Sequence, residues 1–460
     1  MVNKHTMDRR RFLTSAAGSA LWLTMRRNAV ASAAKPSLTA QGHPLRSIQV
    51  GLPTTIPGNR GDTWAVAWGD DDNLYSPVND GPGFTDFSDA LSLFNSGQRR
   101  LIEHDPKASD KIESRDRRTE AMRAFSITPH QFEQMAALEK IGEEWKRENL
   151  GKADTHIGFN RIMGTGPLKL VGSNINALRE FNEQDRGKQL PLAPGLFEIG
   201  MDGRTWKSSG CSFIDGALYL GIARHDYGDP FGKRLRQDAT NASIIKSTDY
   251  GKSWTRSPKA NLEEPMFPGP KFATPYFIEY GRNPPSVDGA ERYSYAISNN
   301  GFWDNGDTLV LGRVERAKLG NLNGTDWEFF SGGNGLSDES WTPDVSKAKA
   351  ILEDPLRLGE TGAVYLRERR RYMMITWYYP DGTGHADEAA HRTIWNFHES
   401  PHPWGPWTQI GSHSWAPQGY YCPGVCPKFQ SAKRVYVFTA GDFTNSLAYY
   451  HLTVVPIDLN

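Results

Sequence analysis

A Gly-x-x-Trp step recurs along this chain, beginning at Gly61, Gly203, Gly251 and Gly324 and ending at Trp64, Trp206, Trp254 and Trp327, with Trp404-Gly-Pro-Trp407 as a variant. A recurring local unit implies a fold built by repetition, and repeated β-units close radially. Short apolar runs broken by Gly, Asp, Asn and Pro surround these steps, at 63–68, 73–76, 211–220, 292–297, 308–313, 362–366, 372–377, 435–438 and 447–452. They read as strands, and Asp215-Gly216 is a favoured two-residue hairpin turn. Strand clusters near 63–80, 203–255, 272–330, 360–410 and 418–455 make five units. The expected fold is all-β, a five-bladed β-propeller. Strand–helix alternation is missing, which disfavours a doubly wound α/β sheet.

One stretch departs from this pattern. Thr128-Pro-His-Gln131 has the N-cap Thr, first-position Pro and third-position Gln of a helix start. Phe132, Met135, Leu138, Ile141 and Trp145 then share one face. Residues 83–150 are expected as a helical insertion after the first hairpin, beside the main domain or over its mouth. Residues 34–50 read as a leader, and 51–460 as the propeller domain.

Before them, Asp8-Arg-Arg-Arg-Phe-Leu-Thr14, the apolar run 16–25 and the small residues at 29–33 resemble a twin-arginine export signal over residues 1–33. The run is too short for the ~30 Å of a bilayer core, so no stable membrane insertion is expected after cleavage, and the location is periplasmic or secreted. Lys and Arg number 53 and Asp and Glu 53, with no basic stripe, so nucleic acid is not an expected partner. Of the three cysteines, Cys211, Cys422 and Cys426, the spacing allows a Cys422–Cys426 disulfide without deciding it. His385, His391 and His398 lack metal-binding spacing, and no metal or other cofactor is expected.

The candidate chemistry lies in the first hairpin. Folding 62–80 symmetrically about Asp71 sets 64 against 78, 66 against 76, 68 against 74 and Asp62 against Asp80. Like charges directly opposed are destabilising unless a proton is shared, a cation intervenes or a bulge parts them. Shared protonation suits glycoside hydrolysis, with one carboxyl as acid and its partner as base or nucleophile. The bland alternative has both groups capping amides at Gly-rich turns. Glu360, before a strand in Leu358-Gly-Glu-Thr-Gly362, is a further carboxyl for the mouth. Trp64, Lys207, Asp304 and Arg313 are candidate substrate-binding residues; turn capping or ion pairing is the alternative role of Lys207, Asp304, Arg313 and Glu360, and aromatics such as Trp64 also fill β-sheet cores. Asp70, Asp71 and Asp72 read as solvated turn residues. The expected partner is an oligo- or polysaccharide and the expected state a monomer; a glycan-binding propeller without catalysis is the alternative.

Ser247-Thr-Asp-Tyr-Gly-Lys-Ser-Trp254 resembles the Asp-box turn of sialidase-like propellers, a structural motif in which Asp249 caps amides and Trp254 packs between sheets. More broadly, Gly61-Asp-Thr-Trp64, Asn79-Asp-Gly81, Gly158-Phe-Asn160, Trp206-Lys-Ser-Ser-Gly210, Asp215-Gly-Ala-Leu-Tyr219, Thr274-Pro-Tyr-Phe-Ile-Glu-Tyr-Gly281, Leu311-Gly-Arg-Val314 and Ser400-Pro-His-Pro-Trp-Gly-Pro-Trp407 are similar to segments of the domain-of-unknown-function 4185 family. The resemblance implies a five-bladed propeller like those of arabinan-active glycosidases. Some family members are endo-acting hydrolases of D-arabinan. It also implies that Asp62 and Asp80 are the catalytic carboxyls.

Overall fold

In the computed structural model, the described residues are 42–56, 59–84, 158–164, 170–175, 205–226, 237–257, 265–381, 391–442 and 451–460. The export signal, the helical insertion beyond residue 84 and His385 lie outside them.

The chain enters through two short strands, β1 (Ile48–Val50) and β2 (Thr54–Thr55). The first blade follows, with β3 (Arg60–Asp62), β4 (Ala67–Trp68), β5 (Leu74–Gly83), β6 (Gly158–Gly164) and β7 (Leu170–Ile175). The second has β8 (Thr205–Ile214), β9 (Ala217–Asp226), β10 (Asp238–Ser247) and β11 (Thr255–Arg256). The third has β12 (Tyr276–Glu279), β13 (Tyr293–Asn299), β14 (Gly306–Glu315), β15 (Trp327–Phe330), β16 (Trp341–Thr342) and β17 (Ala350–Leu358), the last returning to pair with β14. The fourth has β18 (Ala363–Leu366), β19 (Arg371–Tyr378), β20 (Thr393–Ser400) and β21 (Thr408–Trp415). The fifth has β22 (Gly424–Val425), β23 (Arg434–Thr439) and β24 (Thr453–Leu459).

Within each blade, neighbouring strands pair antiparallel, and the inner strand of one blade lies beside the inner strand of the next. The parallel β12–β18 contact joins the third and fourth blades. The fifth blade takes its outer strand from the start of the chain, because β1 pairs with β24. The fold is an all-β propeller with five blades among the described residues. Sharing one blade between the two chain ends closes the ring, which is how a radial fold protects its edges. It also corrects the expected leader, since residues 48–50 belong to the propeller.

Large aromatic side chains fill the space between blades, as a wedge-shaped gap between twisted sheets requires. Phe267, Phe272 and Trp327 pack edge to face or tilted between the second and third blades, and Trp377 and Trp395 belong to the core shared by the fourth and fifth. In the turn after β10, the Asp249 carboxylate accepts from Ser247 Oγ (2.8 Å), Lys252 N (3.1 Å) and Ser253 N (2.9 Å). Gly251 takes φ +84°, and Trp254 meets Phe159 of the first blade at 5.0 Å. The turn thus fastens two blades together. Ile214 pairs with Ala217 across the Asp215-Gly216 turn, as the sequence predicts.

The first hairpin departs from its expected register. Trp68 opposes Leu74 as predicted, but Asp62 opposes Asn79 rather than Asp80. Thr63 adopts φ +59° and interrupts the expected continuous strand, leaving β3 and β4 as separate pieces. This irregularity removes one residue from the count and faces Asp62 with a neutral amide, so the like-charge clash does not arise.

Candidate active site

The residues of interest stand on or beside the inner strands, most of them near a strand start. Asp62 ends β3, Lys207 lies near the start of β8, Tyr276 opens β12, Glu360 precedes β18, and Tyr421 and Cys422 precede β22. Successive inner strands leave the same end of the ring, so residues far apart in sequence converge there.

Asp62 is held from two sides. Tyr421 donates its hydroxyl to Asp62 Oδ2, and Thr63 Oγ1 donates to Oδ1 at 3.1 Å. Behind Thr63, Asn79 Nδ2 reaches its Oγ1 at 3.0 Å and the Ser208 carbonyl at 3.0 Å, while Ser208 N and Oγ donate to Asn79 Oδ1 at 3.0 and 2.8 Å. Asn79 therefore ties the first blade to the second and fixes the residue that fixes Asp62. The sequence assigns this opposing place to Asp80, and the backbone register gives it to Asn79.

Glu360 is the second carboxyl. Its amide donates to the Trp303 carbonyl at 2.9 Å, and its own carbonyl accepts from Trp377 Nε1 at 2.9 Å, which anchors the residue on both sides of its Cα. Cys422 donates its thiol to Oε1 at 3.0 Å. Oε2 has no partner at normal hydrogen-bond geometry among the described residues. Burial pushes the Glu360 carboxyl well above the ordinary carboxylate range, and the nearby Asp62 charge adds to this. Hydrogen bonding by Cys422 and Tyr276 and the charge of Lys207 pull the other way. Glu360 keeps 1% of its surface exposed and Asp62 4%. The result is a carboxyl whose buried surroundings favour its neutral form, beside a second carboxyl whose oxygens accept from two hydroxyl donors. Such an asymmetric pair has the makings of an acid and a base.

Of the other expected residues, Lys207 belongs here: it is buried, 5.9 Å from the Trp303 ring, and its charge acts on Glu360. Asp304 is also buried, with Oδ1 accepting from Gln237 N at 2.7 Å, one residue from the carbonyl that anchors Glu360. Trp64 is not a platform for a sugar. It is fully buried, donates to the Gly61 carbonyl at 3.1 Å and packs against Phe84, because a large apolar ring beside the inner strand is worth most in the core. Arg313 is not at this site either. Its guanidinium lies 4.1 Å from both the Tyr293 and Trp341 rings and is paired with Glu328 at 2.8 Å, within the third blade.

The three cysteines are free and buried. Cys422 is committed to Glu360, and Cys211 points at the carbonyls of Ala65 and Tyr75 (3.6 Å each), so the disulfide allowed by the 422–426 spacing is not formed. His398 shares a hydrogen bond with Thr376, and burial lowers its pKa to about 4. No three His, Cys, Asp or Glu side chains cluster as metal ligands among the described residues. Sequence reasoning missed Asn79, Tyr276, Tyr421 and Cys422. The signal present for the last two was Gly419-Tyr-Tyr-Cys-Pro423, an aromatic and thiol run just ahead of a strand.

No protein-family model matches the chain, and no curated protein matches it. Solved structures similar to it include a protein of unknown function from Dyadobacter fermentans, at 9% identity over 90% of this chain and 100% of that one, with a TM-score of 0.41. Another is a xylan β-1,4-xylosidase from Bacillus halodurans, at 10% identity over 87% of this chain and 53% of that one, with a TM-score of 0.38, so the chain spans about half of that enzyme's length. A third is a glycoside hydrolase family 43 arabinoxylan arabinofuranohydrolase from Bacillus subtilis, at 12% identity over 66% and 56%, with a TM-score of 0.34. No residue role is carried over from any of them.

Proposed function

We propose that this protein is an exported glycoside hydrolase of the propeller type, acting on a furanose-containing or related polysaccharide. In this reading Glu360 is the general acid and Asp62 the base or nucleophile. The observation that carries it is the electrostatic asymmetry of the pair: burial and the Asp62 charge shift Glu360 toward its protonated form, while Tyr421 and Thr63 donate to Asp62. An acid that holds its proton at neutral pH can deliver it to a glycosidic oxygen, and a carboxylate beside it activates water or attacks the sugar. The Lys207 charge acts on Glu360 in the opposite direction to its burial. The similarity of Gly61-Asp-Thr-Trp64 and the segments that follow it to the domain-of-unknown-function 4185 family points to arabinan-type substrates. Export rests on the paired arginines ahead of the apolar run near the N-terminus.

The near-complete burial of both carboxyls favours the second reading, a propeller that holds glycans without cleaving them. Incubation with arabinogalactan, arabinan and xylan, reading reducing ends, separates the two. Release of sugar that stops in Asp62→Asn supports hydrolysis. Saturable binding with no release supports the second reading and ends the first.

A further inference from the structure

At the opposite ends of the inner strands the fold carries a cavity of about 400 Å³, within the range of small-molecule sites. It is bordered by the β4–β5 turn at Asp70, the Asp215-Gly216 turn, the segment after β12 and the ends of β13 and β14. None of the residues assigned to the carboxyl pair lines it. We propose that this cavity is a second ligand site, built for a neutral polyhydroxylated molecule such as a short oligosaccharide.

The wall charges decide the ligand's charge. Arg316 is paired with Asp215 at 2.5 Å, and Arg282 Nη2 donates to the Asp70 carbonyl at 2.6 Å while its other nitrogen faces Asp72 at 3.4 Å. Asp70 itself accepts the Tyr250 hydroxyl at 2.9 Å. Both cations are thus engaged within the wall, and a phosphate or carboxylate ligand would have to break those pairs. Glu291 adds a further carboxylate at the rim, which disfavours an anion again. The lining residue Ser212 hydrogen-bonds Glu279, a buried carboxyl on β12 outside the lining whose Oε1 has no partner at normal geometry among the described residues. Burial raises Glu279 to about 8, so this carboxyl behind the lining adds little negative charge at neutral pH.

The remaining wall is aromatic and preorganised. Tyr280, Tyr293 and Tyr295 contribute to it. The Tyr295 hydroxyl is fixed on the Asp288 carbonyl at 2.6 Å; Tyr280 bonds Tyr372 at 3.3 Å, and Tyr372 donates to Asp288 Oδ2 at 2.9 Å. Tyr293 is the half-buried ring of the three. Tyr293 carries Arg313 over its ring at 4.1 Å and Arg292 at 4.8 Å, so the wall offers fixed polar edges rather than an open ring face. Such edges, with the surrounding carboxylates, serine and arginines, suit the hydroxyls of a sugar, since polar groups already in place cost little to order on binding. The inference goes beyond the hydrolase reading and does not depend on it.

The test is calorimetric titration of the full chain, in the Asp62→Asn background to stop cleavage, with xylotetraose and arabinotetraose as neutral probes and tetragalacturonate as the anionic one. Saturable binding of a neutral tetramer is expected, weakened at least tenfold by Tyr293→Ala and about threefold by the rim variant Glu291→Ala. Tetragalacturonate is expected not to bind at the same concentrations. With native Asp62, both cavity variants are expected to leave the initial hydrolysis rate unchanged. Failure of every neutral probe to bind, unchanged affinity in both variants, or equal binding of tetragalacturonate overturns the proposal. Binding that follows the cavity variants in a protein that releases no sugar leaves this site standing and removes only the hydrolase reading.

Discussion

Cys422 donates its thiol proton to Glu360 Oε1 at 3.0 Å. The preceding residue, Tyr421, donates to Asp62, so two adjacent side chains at the entry to the fifth blade hold the two carboxyls of the candidate site. Removing a donor from a buried acceptor costs the desolvation of what remains. Cys422→Ala is expected to lower the unfolding free energy by about 1–3 kcal/mol, and Cys422→Ser, which keeps a donor, to recover much of it. Urea unfolding of both variants at neutral pH checks this.

A buried carboxyl leaves a pH signature. Glu279 is raised by burial from the ordinary value near 4.5 to about 8. Between those pH values the unfolded chain has released a proton that the native state keeps, so this group's contribution to stability is full below about 4.5 and is lost as pH rises toward 8. Glu279→Gln removes that dependence. The variant is expected to melt higher than the parent at pH 8 and to converge with it near pH 4, as measured by thermal melts across that range.

Close approach of two inner strands makes Gly210 a sensitive position. A Cβ there would lie 2.4 Å from Tyr276 Cα and 2.8 Å from its Cγ. The backbone cannot yield as a flexible side chain would, so Gly210→Ala is expected to cost roughly 1–3 kcal/mol or more. Because Tyr276 acts on Glu360, sugar release should fall together with the melting temperature.

The turn after β10 has a structural role only. Asp249→Ala removes acceptors for Lys252 N, Ser253 N and Ser247 Oγ in one change, and a cost of about 1–2 kcal/mol is expected from lost capping. Hydrolysis and ligand binding should be unchanged at temperatures where the variant remains folded, which activity assays well below its melting point test.

Local pattern made the repeated strands, the Asp215-Gly216 turn and the five-unit order readable, because each depends on residues close in sequence. The partner of Asp62 was not readable. Its identity turns on Thr63 adopting a left-handed conformation, and a β-branched residue gives little warning of that. Glu360 was legible as a carboxyl ahead of a strand, but its proximity to Asp62 arises from ring closure, which brings β3 and the segment before β18 to the same end. Tyr421 and Cys422 reach the site for the same reason. Trp64 and Arg313 misled because aromatic and cationic side chains serve the core and inter-strand ion pairs as well as they serve ligands.

In the proposed mechanism Glu360, and not Asp80, is the partner of Asp62. Initial rates of reducing-end release from arabinogalactan, compared among wild type, Asp62→Asn, Glu360→Gln and Asp80→Asn at equal folded concentration, test it most directly. Losses of at least about 100-fold are expected in Asp62→Asn and Glu360→Gln, as for removing an acid or base, with Asp80→Asn within about threefold of wild type. Full activity in Glu360→Gln, or a loss in Asp80→Asn equal to that in Asp62→Asn, would contradict it.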